Sequence, residues 1–350
     1  MEYIYDYGLF LAQAVTLVAA ILLVIGVAVS LGQKQRHEHE GQIEIRHINE
    51  KYKRIGHSLR DVIEDSDGVK ADLKAEKKAE KAEAKARKKQ RKSGDEDEAQ
   101  RPRLFVIDFD GDMKASAADN LREEISAILP RATDADEILV RLESPGGLVH
   151  SYGFASSQLQ RVTDAGVTLT VAVDKVAASG GYMMACVADR IVAAPFAVIG
   201  SIGVLAQLPN FHRLLKKHDI DFEQFTAGEY KRTVTLFGEN TDKGRDKFQS
   251  ELEDTHVLFK EFVAANRPEL DVASVATGEV WYGQRALDVG LVDELKTSDA
   301  LVQESLEDRE VYEVRYAHKK NWQERLGMAA EAALERTFMR LLQEGRRLLP

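Results

Sequence analysis

The chain has 350 residues, 44% of them hydrophobic and 30% charged, a globular balance that excludes a wholly disordered or fibrous protein. Its formal net charge of −10 averages over unlike regions and so identifies no partner by itself. Cys186 is the only cysteine, which excludes an intramolecular disulfide and a zinc-binding cysteine cluster; set in an apolar run, it reads as a core filler.

Residues 9–31, LFLAQAVTLVAAILLVIGVAVSL, carry no charge. As a helix they reach about 34 Å, enough to cross a hydrocarbon core of about 30 Å. The preceding MEYIYDYG has Glu2 and Asp6 but no basic residue, so the segment reads as a retained anchor over residues 1–32; a cleaved leader is the alternative. Lys34, Arg36, Arg46, Lys51, Lys53 and Arg54 follow it and favour a cytoplasmic catalytic region. Residues 33–102 form a charged tether. Within it KADLKAEKKAEKAEAKARKKQRK (70–92) favours helix without an apolar stripe, and SGDEDEAQ (93–100) reads as an acidic linker. No aromatic residues interleave with the basic ones, so nucleic acid is not an expected partner.

A different pattern begins at residue 103. Strands are predicted at 104–111, 137–144, 167–173 and 190–195, with helices over 115–129, 148–165 and the segment after Ser179. That alternation predicts βαβ units and a mostly parallel sheet, an α/β fold. A short helix near 211–218, a strand near 222–226 and a helix over about 243–266 follow. We place the chemistry in residues 103–296 and a helical extension in 297–350, whose amphipathic end (321–350) is expected to pack on the body or on a neighbouring subunit.

Glycine pairs stand where strands end: Gly146-Gly147 after ESP, and Gly180-Gly181 after Ser179. Glycines let backbone N–H groups approach a developing oxyanion, and ligands bind outside the carboxyl ends of parallel strands. Ser179 is either the N-cap of the next helix or a nucleophile, and a nucleophile needs a base. Four of the nine histidines lie in the tether; among the rest His150, just past Gly147, is the histidine candidate, although it also suits a solvated helix start. Lys231, in TAGEYKRTVTLFGEN, is the alternative, since a lysine acts as a base once desolvation favours its neutral form. On spacing alone it is equally a surface residue. Ser201, between Gly200 and Gly203, is either a satisfied turn serine or a hydroxyl that holds a neutral lysine in register.

The motifs ESPGG (143–147), AASGGYM (177–183), GSIGV (200–204), GEYKRT (228–233) and GEVWYGQRALDVGLVDEL (278–295) together give a resemblance. The chain resembles the signal-peptide-peptidase-A family of membrane-anchored serine proteases, most closely its SohB branch. The resemblance implies a ClpP/crotonase-like fold of repeated ββα and βαβ units and a Ser/Lys dyad. Ser179 would be the nucleophile, Lys231 the general base and Ser201 the residue that orients it. The backbone of Gly146, Gly147 and Gly180 would form the oxyanion hole. Where the family carries two tyrosines this chain has Tyr182 and Met183, and Tyr182 is expected to touch substrate. Peptide or protein substrates such as signal-peptide remnants, a homo-oligomer, membrane lipid around the anchor, and no metal or cofactor complete the expectation. The family analogy puts the catalytic region of an inner-membrane protein in the periplasm, opposite to the charge bias. A catalytically silent membrane scaffold and a crotonase-like acyl-CoA enzyme are the other readings.

Overall fold

The computed structural model describes residues 15–16, 41–63, 78 and 101–317. The expected anchor, nearly all of the lysine-rich segment, the acidic linker and the C-terminal amphipathic helix lie outside the described residues. Among the described residues no helix is long and apolar enough to cross a membrane. The chain divides into two units, residues 43–316 and residues 1–42 with 317–350, and the architecture below is that of the first and its bordering strand residues.

Strand β1 (Gln42–His47) leads into helix α1 (Ile48–Ile63). Then come β2 (Arg103–Asp110), α2 (Ala118–Ile128), β3 (Glu137–Glu143), α3 (Val149–Asp164) and β4 (Thr168–Val173). β5 (Val176–Ala178), α4 (Gly180–Ala185), β6 (Arg190–Ala193) and β7 (Val198–Gly200) follow. The remainder is α5 (His212–Lys217), α6 (Asp242–Asn266), α7 (Val272–Val275), β8 (Val280–Tyr282), α8 (Gly283–Asp288), β9 (Glu294–Leu295), α9 (Ser298–Ser305) and β10 (Glu310–Ala317). The main sheet runs β1-β10-β2-β3-β4-β6-β9, parallel from β10 to β9. A smaller sheet runs β5-β7-β8, with β5 parallel and β8 antiparallel to β7.

The apolar run of β2 alternates between two faces. Phe105, Ile107 and Phe109 join one buried cluster with Leu121 and Ile125 of α2 and Leu159 and Val162 of α3. Leu104 and Val106 join another with Leu139, Leu301, Val311 and Ile48 of α1. A sheet covered on both sides reads as a continuous hydrophobic stretch, which is why β2 and β3 were legible as strands. Cys186 is fully buried in the first cluster, its thiol donating to the Met183 carbonyl at 3.3 Å.

Three expectations change. Residues 42–63, assigned to the tether, are ordered on the body: Ile48 is buried and the Asn49 amide donates to the Arg309 carbonyl at 2.9 Å. Residues 310–317, assigned to a helical extension, are a strand beside β2, so the sheet crosses the expected boundary at 296. Residues 222–226 form no strand; they are exposed, with no neighbouring ladder to hold an extended segment.

Candidate active site

Past β3 the chain passes from the main sheet to the small one. Ser144 bridges Ala177: its N–H donates to the Val176 carbonyl at 2.8 Å and its carbonyl accepts from the Ala178 N–H at 3.0 Å. β5 then ends and Ser179 takes φ 53° and ψ −117°, a conformation L-residues rarely adopt. Its N–H donates to the Gly200 carbonyl at 2.7 Å, and its carbonyl accepts from the Met183 N–H at 2.9 Å. Helix α4 is thus opened by the Ser179 main chain, while the serine hydroxyl is not used as a cap and the residue is half-buried.

Gly146 packs directly against this turn. With φ +86°, it has no room for a side chain: a Cβ would stand 2.7 Å from the Ala178 carbonyl oxygen and 2.8 Å from the Gly180 nitrogen. At Gly180 a Cβ would strike the Tyr152 ring. The three expected oxyanion glycines differ in one respect. The Gly146 N–H already donates to Ser144 Oγ at 3.1 Å, which takes it out of the set. The N–H groups of Gly147 and Gly180 have no acceptor among the described residues.

Ser201 is brought to the same place. β5 and β7 pair Ala178 with Gly200, so Ser179 and Ser201 both follow the last matched pair. Ser201 has φ 50° and donates its N–H to the Glu279 carbonyl at 2.7 Å. Lys231 is elsewhere. It is exposed, in a turn where its N–H donates to the Gly228 carbonyl at 3.2 Å, and it lines a cavity of about 710 Å³ with Leu208, Phe222, Phe225, Leu236 and Phe237. Neither Ser179 nor Ser201 lines that cavity, and no hydrogen bond joins Lys231 to either within the chain. Its turn is anchored to α6 by the Glu229–Lys243 ion pair at 2.6 Å and by Tyr230 facing Lys243 and Lys247. His150 is exposed at the start of α3, as the solvated reading expects.

Tyr182 is corrected. It is fully buried, and its hydroxyl donates to the Leu291 carbonyl at 3.0 Å, tying α4 to the segment after α8. Burial pushes its pKa up, and no face is left for substrate. Conversely, Ser144 and Tyr152 lie under the site without having been singled out. Ser144 stands inside the ESPGG motif, where the glycines drew attention; Tyr152 carries no local signal beyond its place one turn into α3.

A serine on a strained strand-to-helix turn, with two unengaged N–H groups beside it, is the arrangement of a serine hydrolase. The chain belongs to peptidase family S49 and is a serine protease of that family. Residues 2–159 match "Peptidase family S49 N-terminal" and residues 161–312 match "Peptidase family S49". The "Probable protease SohB" of Haemophilus influenzae is 54% identical over 327 residues, 93% of this chain and 92% of the relative. That of Buchnera aphidicola subsp. Schlechtendalia chinensis is 45% identical over 306 residues, 86% of this chain and 99% of the relative. Among solved structures, a mutant 1510-N membrane-bound stomatin-specific protease in complex with a substrate peptide is 13% identical, covering 65% of this chain and 97% of its own, with a TM-score of 0.42.

Proposed function

We propose that the chain is a membrane-anchored endopeptidase in which Ser179 attacks the peptide carbonyl and Lys231 is its general base. The observation that carries this reading is the uncapped Ser179 hydroxyl beside the open N–H groups of Gly147 and Gly180. In the acyl step the Lys231 amine takes the Ser179 proton as Oγ bonds to the carbonyl carbon. The two N–H groups hold the oxyanion, and the lysine returns the proton to the leaving amine. A water then attacks the acyl-enzyme with the lysine again as base. Ser201, at the same level of the small sheet as Ser179, orients the amine.

Lys231 lies on an exposed arm and makes no hydrogen bond to Ser179 in its own chain, and in this reading the dyad closes between copies of a homo-oligomer. Exposed apolar residues on the arm, Leu205 and Phe225 among them, support an arm that is covered in the assembly. Burial there would strip water from the amine and favour the neutral form that a base requires. Co-expressing Ser179→Ala with Lys231→Ala tests this: two inactive chains should restore about a quarter of wild-type hydrolysis in a randomly mixed ring. No recovery sinks the shared dyad.

The finer fold reading is ClpP/crotonase-like, and the substrates are peptides or membrane-associated remnants such as signal peptides. Residues 9–31 anchor the protein in the bacterial plasma membrane, and the basic residues after them support a cytoplasmic protease region. An alkaline phosphatase fusion after residue 317 that is active in the periplasm overturns that side.

A further inference from the structure

The polar groups beneath the Ser179 turn form one continuous relay. Tyr152 is fully buried, and its hydroxyl donates its only proton to the Asp112 carbonyl at 2.8 Å. The Tyr152 oxygen lies 2.6 Å from Oγ of Ser144, which is also fully buried. With the tyrosine proton committed, the Ser144 hydroxyl must donate to Tyr152, and its oxygen is left to accept the Gly146 N–H at 3.1 Å. Only this direction satisfies all three contacts. The far end is fixed too, because the Asp112 carboxylate accepts the Lys114 N–H at 3.1 Å, the Ser116 N–H at 2.8 Å and the Ser116 hydroxyl at 2.7 Å.

Resting on the reading of Ser179 as nucleophile, we infer that Ser144 and Tyr152 are positioning residues for the oxyanion hole. Two consecutive glycines leave the 145–147 turn with wide conformational freedom. The bond from the Gly146 N–H to Ser144 removes that freedom one peptide before the Gly147 N–H, which must be aimed. The other donor is set by the same side chain, because the Tyr152 ring occupies the space beside Gly180. Ser144 closes the frame through its backbone, bonded on both sides to the strand that delivers Ser179. Stability alone does not call for this chemistry: alanine and phenylalanine would fill nearly the same volume without burying two hydroxyls. What the hydroxyls add is direction.

The test is steady-state peptide hydrolysis by the detergent-solubilised full chain in Tyr152→Phe, Ser144→Ala, Ser156→Ala and Ser179→Ala, with affinity for a peptide boronic acid measured alongside. Tyr152→Phe keeps the ring against Gly180, and Ser144→Ala frees the Gly146 N–H while leaving Tyr152 bonded to Asp112. Misaiming an oxyanion donor is expected to lower kcat about 10- to 100-fold and weaken the boronate by a similar factor, with KM within about two-fold. Ser156→Ala deletes another buried hydroxyl from the same helix, bonded only to the Tyr152 carbonyl at 2.8 Å, and should keep kcat within about two-fold. If Tyr152→Phe and Ser144→Ala behave like Ser156→Ala while Ser179→Ala is inactive, the positioning role is overturned and the nucleophile stands. Hydrolysis retained in Ser179→Ala overturns both, since the turn would then have no nucleophile to serve.

Discussion

Ser179 and Ser201 leave two paired strands at the same level, each one residue past the matched pair Ala178 and Gly200, and each with positive φ, 53° and 50°. The register of a parallel ladder, together with the bond from the Ser179 N–H to the Gly200 carbonyl, therefore sets the two serines side by side at the end of the small sheet.

Positive φ at Ser179 stores strain, on the order of 1–3 kcal/mol for a non-glycine residue in a sparsely populated region. Ser179→Gly should therefore be more stable than Ser179→Ala by about 1 kcal/mol, after the entropy that glycine adds to the unfolded chain is subtracted. Both variants should be inactive. Thermal unfolding of the two side by side checks this, and an alanine variant as stable as the glycine one would show an unstrained turn.

The choice of base separates Lys231 from His150. Hydrolysis should fall at least about 1000-fold in Ser179→Ala and Lys231→Ala and stay within about two-fold in His150→Ala. Ser201→Ala should lose about 10- to 100-fold, because it leaves the base in place but unoriented. Fluorophosphonate labelling of Ser179 gives a second readout. Lys231→Ala with full activity would remove lysine from the mechanism.

Glu124, on α2, gives the fold a pH dependence. It is 4% exposed and accepts the Tyr316 N–H at 2.7 Å; burial, reinforced by Asp108 and opposed by that bond and Arg315, pushes its pKa up to about 7. The folded state then holds the proton more tightly than the unfolded chain. This contribution is complete below pH about 4.5 and is lost as pH rises through about 7. Relative to Glu124→Gln, wild type should lose about 2–3 kcal/mol of stability across that window. Denaturant titrations at pH 4.5, 6 and 7.5 measure the difference, and parallel curves for the two proteins would refute it.

The order of strands decides where the chain can be cut. Residues 103–296 alone lack β10 and α9, and so lose Leu301, Val302 and Val311 from the second buried cluster. At about 1.5–3 kcal/mol for each buried aliphatic side chain, the deficit approaches the 5–15 kcal/mol that hold a domain together. Residues 42–317 should unfold cooperatively and 103–296 should not, as followed by circular dichroism. A cooperative transition in the shorter fragment would restore the boundary at 296.

Much of this is legible in the sequence. The βαβ alternation showed because β2 and β3 are buried on both faces and so are apolar throughout. Ser179 stood out because two glycines follow it, and glycine marks close backbone approach at Gly146 and Gly180 alike. β5, β7 and β8 span three residues each, too short for any period to register. β10 buries only Val311 and Val314 among half-buried and exposed positions and resembles the polar sequence around it. Tyr182 looked like a substrate contact from its neighbours in the motif, yet α4 is buried on every side.

The sequence by itself determined the chemistry on offer: a serine beside glycines, a lone lysine in a glycine turn, and motifs specific enough to identify the family. Those are local properties, set by residue type and spacing. Only the tertiary structure decided which groups are free to act. It spends the Gly146 N–H on Ser144, leaves those of Gly147 and Gly180 open, sets Ser179 and Ser201 at one level of the small sheet, and places Lys231 in an exposed turn. The bonds that fix Ser179 and Ser144, to Gly200 and to Val176 and Ala178, join residues far apart in the chain, and such partners are chosen by the packing of strands and helices.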